Sequence, residues 1–110
     1  MQTVEKPWGR ETWWAQTEHY VGKLIEVNAG QSLSLQYHQY KTESMYFLSG
    51  TGLVVYGEEL LPIRPGLSLT IEPGTVHRII AHENVKVMEV STPQVTDVIR
   101  LEDRYGRQDA

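Results

Sequence analysis

The chain has 110 residues, which is the size of one domain that can bury its own core. Its formal net charge of -4, from 14 acidic and 10 basic residues, argues against a nucleic acid or an anionic membrane as partner. Because the chain has no cysteine, a bound metal would need nitrogen and oxygen ligands. The polar start and the lack of a long apolar run predict a cytoplasmic protein.

Residues 1–20 differ from the rest of the chain and are predicted to form an N-terminal arm. They contain all three tryptophans, Trp8, Trp13 and Trp14. If the adjacent pair lies in a strand, its two rings point to opposite faces, so one is exposed unless another surface covers it. A second subunit or a folded-back arm of the same subunit could cover it. We predict a homodimer.

Residues 21–92 have short apolar runs broken by glycine, proline and polar turns, which is typical of many short strands. The candidate strands are residues 22–27, 32–39, 44–49, 53–56, 67–71, 77–81 and 85–91. Seven or more strands in so short a chain favour a closed barrel or a jelly roll, since these leave few exposed edges. In the C-terminal tail, 93–110, residues 95–101 fit either one helical turn or a last strand.

Four residues have the side chains of a metal site. Strand alternation places Gln36 and His38 on the same face. A turn near residues 41–42 would return Glu43 at the start of the next strand, and His77 would open a later strand after a tight turn. Neutral imidazole together with carboxylate and amide oxygens forms a mixed ligand set for a divalent ion. Zinc is the first choice, with manganese, iron, nickel and cobalt as alternatives.

The four residues lie in two glycine-led segments, 30–50 and 66–77. These segments resemble the two motifs of the cupins, small β-barrels that hold a metal near the barrel centre. Gln36 stands in place of the first histidine of the first motif. The resemblance implies an all-β fold, a cupin-type jelly-roll β-barrel, in a single domain spanning residues 1–110.

Four segments are similar, in the same order, to the cupin domain of type II phosphomannose isomerase. They are KPWG at 6–9, LSLQYH at 33–38, EPGTVHR at 72–78 and LEDRYGR at 101–107. In that family the domain usually follows a nucleotidyltransferase that makes GDP-mannose. The resemblance implies a metal-dependent aldose-ketose isomerase of carbohydrate metabolism that acts on a sugar phosphate such as mannose 6-phosphate.

The resemblance also implies roles outside the ligand set. The ion would polarise the sugar carbonyl and stabilise the negative charge of an enediolate. Lys23 matches a family lysine and is a candidate for the base that moves a proton between two carbons. Arg107 is a candidate for binding the phosphate or for neutralising charge on the sugar oxygens. The segment around it either frays or folds back over the barrel mouth.

The chain departs from the family directly after His38, where further histidines are usual and residues 39–45 here are QYKTESM. The four candidate metal ligands are kept despite this departure, but the residues at the rim of the pocket differ from those of the family. One alternative is therefore a non-catalytic sugar-binding or regulatory cupin. A second is a small metal-dependent cupin oxygenase, against which Gln36 weighs because oxygenase ligand sets are richer in histidine. The expected partner is a small sugar or sugar phosphate.

Overall fold

A computed structural model describes residues 1–107, and residues 108–110 of the predicted tail lie outside it. Within the described part, eleven strands form in chain order. They are β1 (Gln2–Lys6), β2 (Gly9–Gln16), β3 (Val21–Val27), β4 (Leu35–Tyr37), β5 (Glu43–Ser49), β6 (Gly52–Tyr56), β7 (Glu59–Pro62), β8 (Ser68–Ile71), β9 (His77–Ala81), β10 (Val85–Ser91) and β11 (Ile99–Glu102). No helix within residues 1–107 has the length and apolar character needed to cross a membrane.

The strands form two antiparallel sheets, which confirms the all-β prediction. One sheet has six strands in the order β1-β2-β3-β10-β5-β8, and the other has five in the order β11-β4-β9-β6-β7. Alternate residues of β5 and β10 point inward, among them Phe47 and Val87, which are fully buried between the sheets. Burying a side chain of this kind contributes roughly 1.5–3 kcal/mol, so this core holds the two sheets together.

All seven strands predicted from the sequence are present, and three more, β1, β2 and β7, were missed. The predicted N-terminal arm supplies β1 and β2, the first two strands of the six-stranded sheet. The missed β7 pairs with β6 at the edge of the other sheet. Of the two alternatives for residues 95–101, the strand is the one that forms, since β11 pairs with β4.

The tryptophan pair lies at an irregularity in β2. Trp13 is opposite Lys23 and Ala15 is opposite Gly22, so the register shifts by one residue at Trp14. Trp13 lines a cavity of the barrel that opens towards solvent, whereas the ring of Trp14 lies on the outer face of the sheet against Gly22. Trp14 is 44% exposed, so within residues 1–107 no folded-back arm covers it.

The described part of the C-terminal tail, residues 93–107, folds back onto the barrel. Tyr105 packs against the core and its hydroxyl donates a hydrogen bond to the side chain of Gln31. Arg104 Nη1 donates to the carbonyl of Gly30 at 2.9 Å. These contacts place Arg107 beside the same cavity that Trp13 lines.

Two glycines with positive φ angles make a matched test of the turns. Gly30 has a φ of +79° with open space around it, whereas a Cβ on Gly50, at a φ of +104°, would lie 2.2 Å from the carbonyl oxygen of Asn84. We expect Gly30→Ala to lower the free energy of unfolding by about 1–2 kcal/mol, which is the conformational cost alone. Gly50→Ala should lower it by more, because backbone must also move. Urea unfolding measures both, and equal losses would contradict the close approach at Gly50.

Candidate metal centre

The fold brings His38, Glu43 and His77 together as the sequence predicts. His38 follows β4, while Glu43 and His77 are the first residues of β5 and β9. The tight turn before β9 is held against the segment after β4, because the N–H of Gly74 donates to the carbonyl of His38 at 2.7 Å. One backbone hydrogen bond therefore fixes the starting points of the two histidine-bearing segments relative to each other.

The three side chains converge on one point inside the barrel. His38 Nε2 lies 2.6 Å from Glu43 Oε1, and His77 Nε2 lies 3.9 Å from the same oxygen. The centroids of the two imidazole rings are 4.9 Å apart. One ligand atom from each residue falls within 4.8 Å of the other two, and all three residues are buried. The cluster could bind a metal ion.

Backbone carbonyls set the tautomers of both histidines. His38 Nδ1 lies 2.6 Å from the carbonyl oxygen of Asp97, and His77 Nδ1 lies 2.9 Å from that of Thr75. A carbonyl only accepts hydrogen bonds, so each Nδ1 must carry the proton. In the neutral ring, each Nε2 then presents its lone pair towards Glu43. This is the second-layer arrangement that orients histidines for metal binding.

The chemistry of this arrangement fits a cation. His38 Nε2 is buried and, among the described residues, makes no hydrogen bond of acceptable geometry despite its closeness to Glu43. A nitrogen lone pair and a carboxylate oxygen repel each other at this distance unless a positive charge lies beside them. An unpaired buried polar atom costs about 1–3 kcal/mol, and a bound metal ion would remove that cost.

Electrostatics favour the ligand forms of the side chains. Burial raises the pKa of Glu43, but the hydrogen bond with Glu89 and the attraction to Lys41 and His77 lower the pKa overall. Burial lowers the pKa of His77, which favours its neutral ring. Burial and the nearby Glu43 raise the pKa of Glu89 well above its ordinary value, so Glu89 holds the proton that joins the two carboxyl groups.

Gln36 lies beside the cluster, directly opposite His77 in the pairing of β4 with β9. Its side chain lines the cavity that also contains the other three predicted ligands. The amide nitrogen donates to the carbonyl of Ser34 at 3.4 Å, which leaves the amide oxygen available to an ion. The position of Gln36 as a fourth ligand stays a prediction.

The cluster lies at the floor of two adjoining cavities. The inner cavity has a volume of about 60 Å³, and the outer one, of about 110 Å³, opens towards solvent. Among residues 1–107, five cationic side chains and a single carboxylate, Glu11, line the outer cavity. The cations are Lys6, Lys23, Lys41, Arg100 and Arg107. This concentration of positive charge in a chain of formal charge -4 attracts anions.

The two residues predicted to act in catalysis both line the outer cavity. Lys23 is buried, with Nζ 3.3 Å from Glu11 Oε1 and 4.3 Å from the centroid of the Trp13 ring. Arg107 forms a two-pronged ion pair with Asp103, in which Nε and Nη2 each lie 3.0 Å from a carboxylate oxygen. Both cations therefore have protein partners of their own.

Sequence reasoning missed several charged residues of the site. Glu89 occupies an inward position of β10, where strand alternation places it in line with buried Val87, so a charged residue in a core register was the available signal. Glu11 was missed because β2 was not predicted. Lys41 Nζ, 3.5 Å from Glu43 Oε1, belongs to the turn between β4 and β5, where a lysine is usually exposed.

Asp97 supports the site from a distant part of the chain. Its carboxylate accepts hydrogen bonds from the backbone N–H groups of Gln39, Tyr40 and Lys41, at 3.0, 2.7 and 2.9 Å. The same residue supplies the carbonyl that fixes His38. The segment before β11 thereby holds the turn that separates two predicted ligands. Tyr40, in the same turn, is 69% exposed and lies outside the cavity.

Comparison with known proteins gives a match over most of the chain. Residues 1–103 match the family model described as mannose-6-phosphate isomerase C-terminal. The chain is 34% identical to the xanthan biosynthesis protein XanB of Xanthomonas campestris pv. campestris over 94% of its length. It is 32% identical to mannose-1-phosphate guanylyltransferase ManC of Salmonella typhimurium, also over 94%. In both comparisons it spans 23% of the relative's length.

Solved structures support the fold. A cupin superfamily protein from Desulfitobacterium hafniense DCB-2 superposes with a TM-score of 0.68 at 15% identity, covering 83% of this chain and 77% of that protein. KdgF from Halomonas sp. superposes with a TM-score of 0.75 at 16% identity, covering 86% and 87%. The predicted cupin-type barrel is confirmed.

Removing either histidine should strip the metal and leave the fold. We expect His38→Ala and His77→Ala to lose stoichiometric metal while the circular dichroism spectrum stays that of a β-barrel, because strand pairing and the core hold the scaffold. His82→Ala, in the loop before β10, is the matched control and should bind metal like the parent chain. Elemental analysis after loading and gel filtration measures the content. Full metal retention by both site variants would contradict the site.

Proposed function

Since the chain belongs to the mannose-6-phosphate isomerase C-terminal family, we propose that it is a metal-dependent aldose-ketose isomerase acting on a sugar phosphate such as mannose 6-phosphate. The family match and the relatives support a domain related to sugar-phosphate metabolism. The relatives are guanylyltransferases and biosynthesis proteins by name, so isomerisation is our own inference. A cytoplasmic location stays a prediction alongside it.

One observation carries the proposal: a buried two-histidine, one-carboxylate cluster lies below a cavity mouth rich in lysine and arginine. A sugar phosphate has one end that such a mouth attracts and one end whose oxygens suit such a cluster. Neutral imidazoles with carboxylate and amide oxygens fit zinc first, and also manganese, iron, nickel or cobalt. A divalent ion bound there would polarise the sugar carbonyl and stabilise negative charge on its oxygen.

The chain's own side chains would bind and orient the substrate. Arg100 and Lys6 line the outer cavity and can bind the phosphate. Arg107 is less available for this, because both prongs of its guanidinium group already contact Asp103. Arg107 adds positive charge to the same rim. Lys23, deeper in the cavity, is paired with a carboxylate, and this pairing supports a charge-stabilising role more than the role of base.

The residues after His38 keep a non-catalytic alternative open. Gln39 and Tyr40 are both exposed, so the segment that departs from the family adds no side chain to the cavity from these two positions. A domain that binds a sugar phosphate without converting it would have the same mouth and the same floor. Turnover therefore decides between the two functions.

The direct test is the conversion of mannose 6-phosphate to fructose 6-phosphate by the metal-loaded chain. We expect Arg100→Ala to raise KM at least ~10-fold for the phosphorylated sugar, because a phosphate contact is lost. We expect Arg107→Ala, which removes a positive charge from the rim, to lower kcat/KM at least ~10-fold, which corresponds to about 1.4 kcal/mol. Arg10→Ala, which removes a surface arginine of β2 paired with Glu26, is the control and should change neither.

Two outcomes separate the candidate functions, and a third tests the roles of the arginines. Binding of sugar phosphate without turnover would favour the non-catalytic module. Oxygen uptake by the iron-loaded chain would favour an oxygenase. Unchanged kinetics in both cavity variants of an active parent would show that these arginines have no part in the reaction.

We also propose a homodimer that forms through the outer face of the six-stranded sheet. Trp14 lies over Gly22, which pairs with Val90 of β10, and Tyr46 and Leu48 of β5 point to the same outer face. Trp14, Val90, Tyr46 and Leu48 are all exposed. These four residues of β2, β10 and β5 form an apolar surface, which a second copy could cover.

Light scattering at micromolar concentration should give about twice the mass of the chain. Val90→Arg should shift the mass to that of the monomer, because it places a charge in the centre of the apolar surface. Leu60→Arg changes an exposed leucine of β7 in the other sheet, and this control should stay dimeric. A monomeric parent chain, or dissociation in the control alone, would contradict this interface.

A further inference from the structure

One carboxylate stands where the two cavities of the site join. The residues that line both cavities are Glu11, Lys23, Leu33, Gln36, His38 and Lys41. A sugar phosphate with its phosphate at the mouth and its carbonyl end at the floor would place its first carbons near this junction. Glu11 is the only carboxylate among the described residues at that position.

The other carboxyl groups of the inner cavity are already engaged. Glu43 lies within the metal-binding cluster, 2.6 Å from His38 Nε2. Glu89 is buried, lines only the inner cavity and is hydrogen-bonded to Glu43. Neither is placed to face carbon atoms of a substrate that enters through the outer cavity.

Two neighbouring side chains orient the carboxylate of Glu11. Its Oε1 accepts hydrogen bonds from Trp13 Nε1 at 3.0 Å and from Lys23 Nζ at 3.3 Å. The Trp13 ring also contacts the Lys23 ammonium, so the three side chains form one packed unit. In this unit Lys23 Nζ is the donor and Glu11 the acceptor, and an ammonium group has donors but no acceptor.

We propose that Glu11 is the general base of the isomerisation, which moves a proton between C2 and C1 of the sugar while Lys23 and Trp13 hold its carboxylate in place. This assignment rests on the proposed isomerase function. It replaces Lys23 as the base and gives Lys23 the role of a positioning residue.

The proton transfer balances without any further reactant. Glu11 takes the proton from C2 of the aldose, the C2–H electron pair becomes the C1=C2 bond, and the carbonyl pair moves onto O1. The proton of the O2 hydroxyl passes to O1, and C2=O2 forms. The C1=C2 pair then takes the proton from Glu11 to make the new C1–H bond of the ketose.

The test uses the metal-loaded chain in deuterium oxide, because a proton held on a carboxylate exchanges with solvent. The parent should convert the sugar phosphate and place deuterium at C1 or C2. Glu11→Gln keeps an oxygen that can accept from Trp13 and Lys23, so the fold, the metal content and fructose 6-phosphate binding by calorimetry should stay within ~3-fold. Isomerisation and deuterium incorporation should both fall at least ~100-fold.

Glu26→Gln is the matched control, because it makes the same change in another cross-strand ion pair, on the outer face of β3. It should behave like the parent chain. Glu11→Gln with parental isomerisation and exchange would overturn the assignment. Loss of exchange in Lys23→Arg but not in Glu11→Gln would also overturn the assignment, because an arginine keeps the charge but cannot act as the base. A parent chain that binds fructose 6-phosphate but neither isomerises nor exchanges would refute the proposed function itself.

Discussion

The candidate site depends on one electrostatic constraint, which is that two imidazole nitrogens and a carboxylate face each other in the buried interior of the barrel. The backbone carbonyls of Asp97 and Thr75 fix the proton of each ring on Nδ1, so the lone pairs of His38 and His77 must point at Glu43. In water this arrangement would relax, because each group could find another partner. Inside the barrel the rest of the structure holds it, and it creates a demand for positive charge.

The charges around this point are layered. Glu43 also lies near Lys41, whose pKa burial lowers but attraction to Glu43 and Glu89 raises overall, so that Lys41 stays charged. Farther out, the Lys23–Glu11 ion pair separates the floor from a mouth that carries mostly cations. An anionic ligand therefore meets increasing burial and a steady positive field as it enters. This gradient would let a chain with net negative charge admit the sugar phosphate that we propose as its substrate.

The sequence predicted the positions of the four ligand candidates because strand alternation and turn residues act locally. The relative positions of Gln36, His38, Glu43 and His77 follow from a hairpin and a tight turn, and the structure places all four in one cavity. What the sequence could not show depends on tertiary register. Asp97, brought to the turn at residues 39–41 across more than 50 positions, has no local signal at all.

The most direct measurement of the central claim is the ring nitrogen NMR spectrum of the histidines before and after one equivalent of zinc is added. The account predicts that His38 and His77 carry their proton on Nδ1 in the metal-free protein, and that both Nε2 resonances shift on zinc addition while those of His19 and His82 do not. Protons on Nε2 of both site histidines, with no change on addition of zinc, would contradict it.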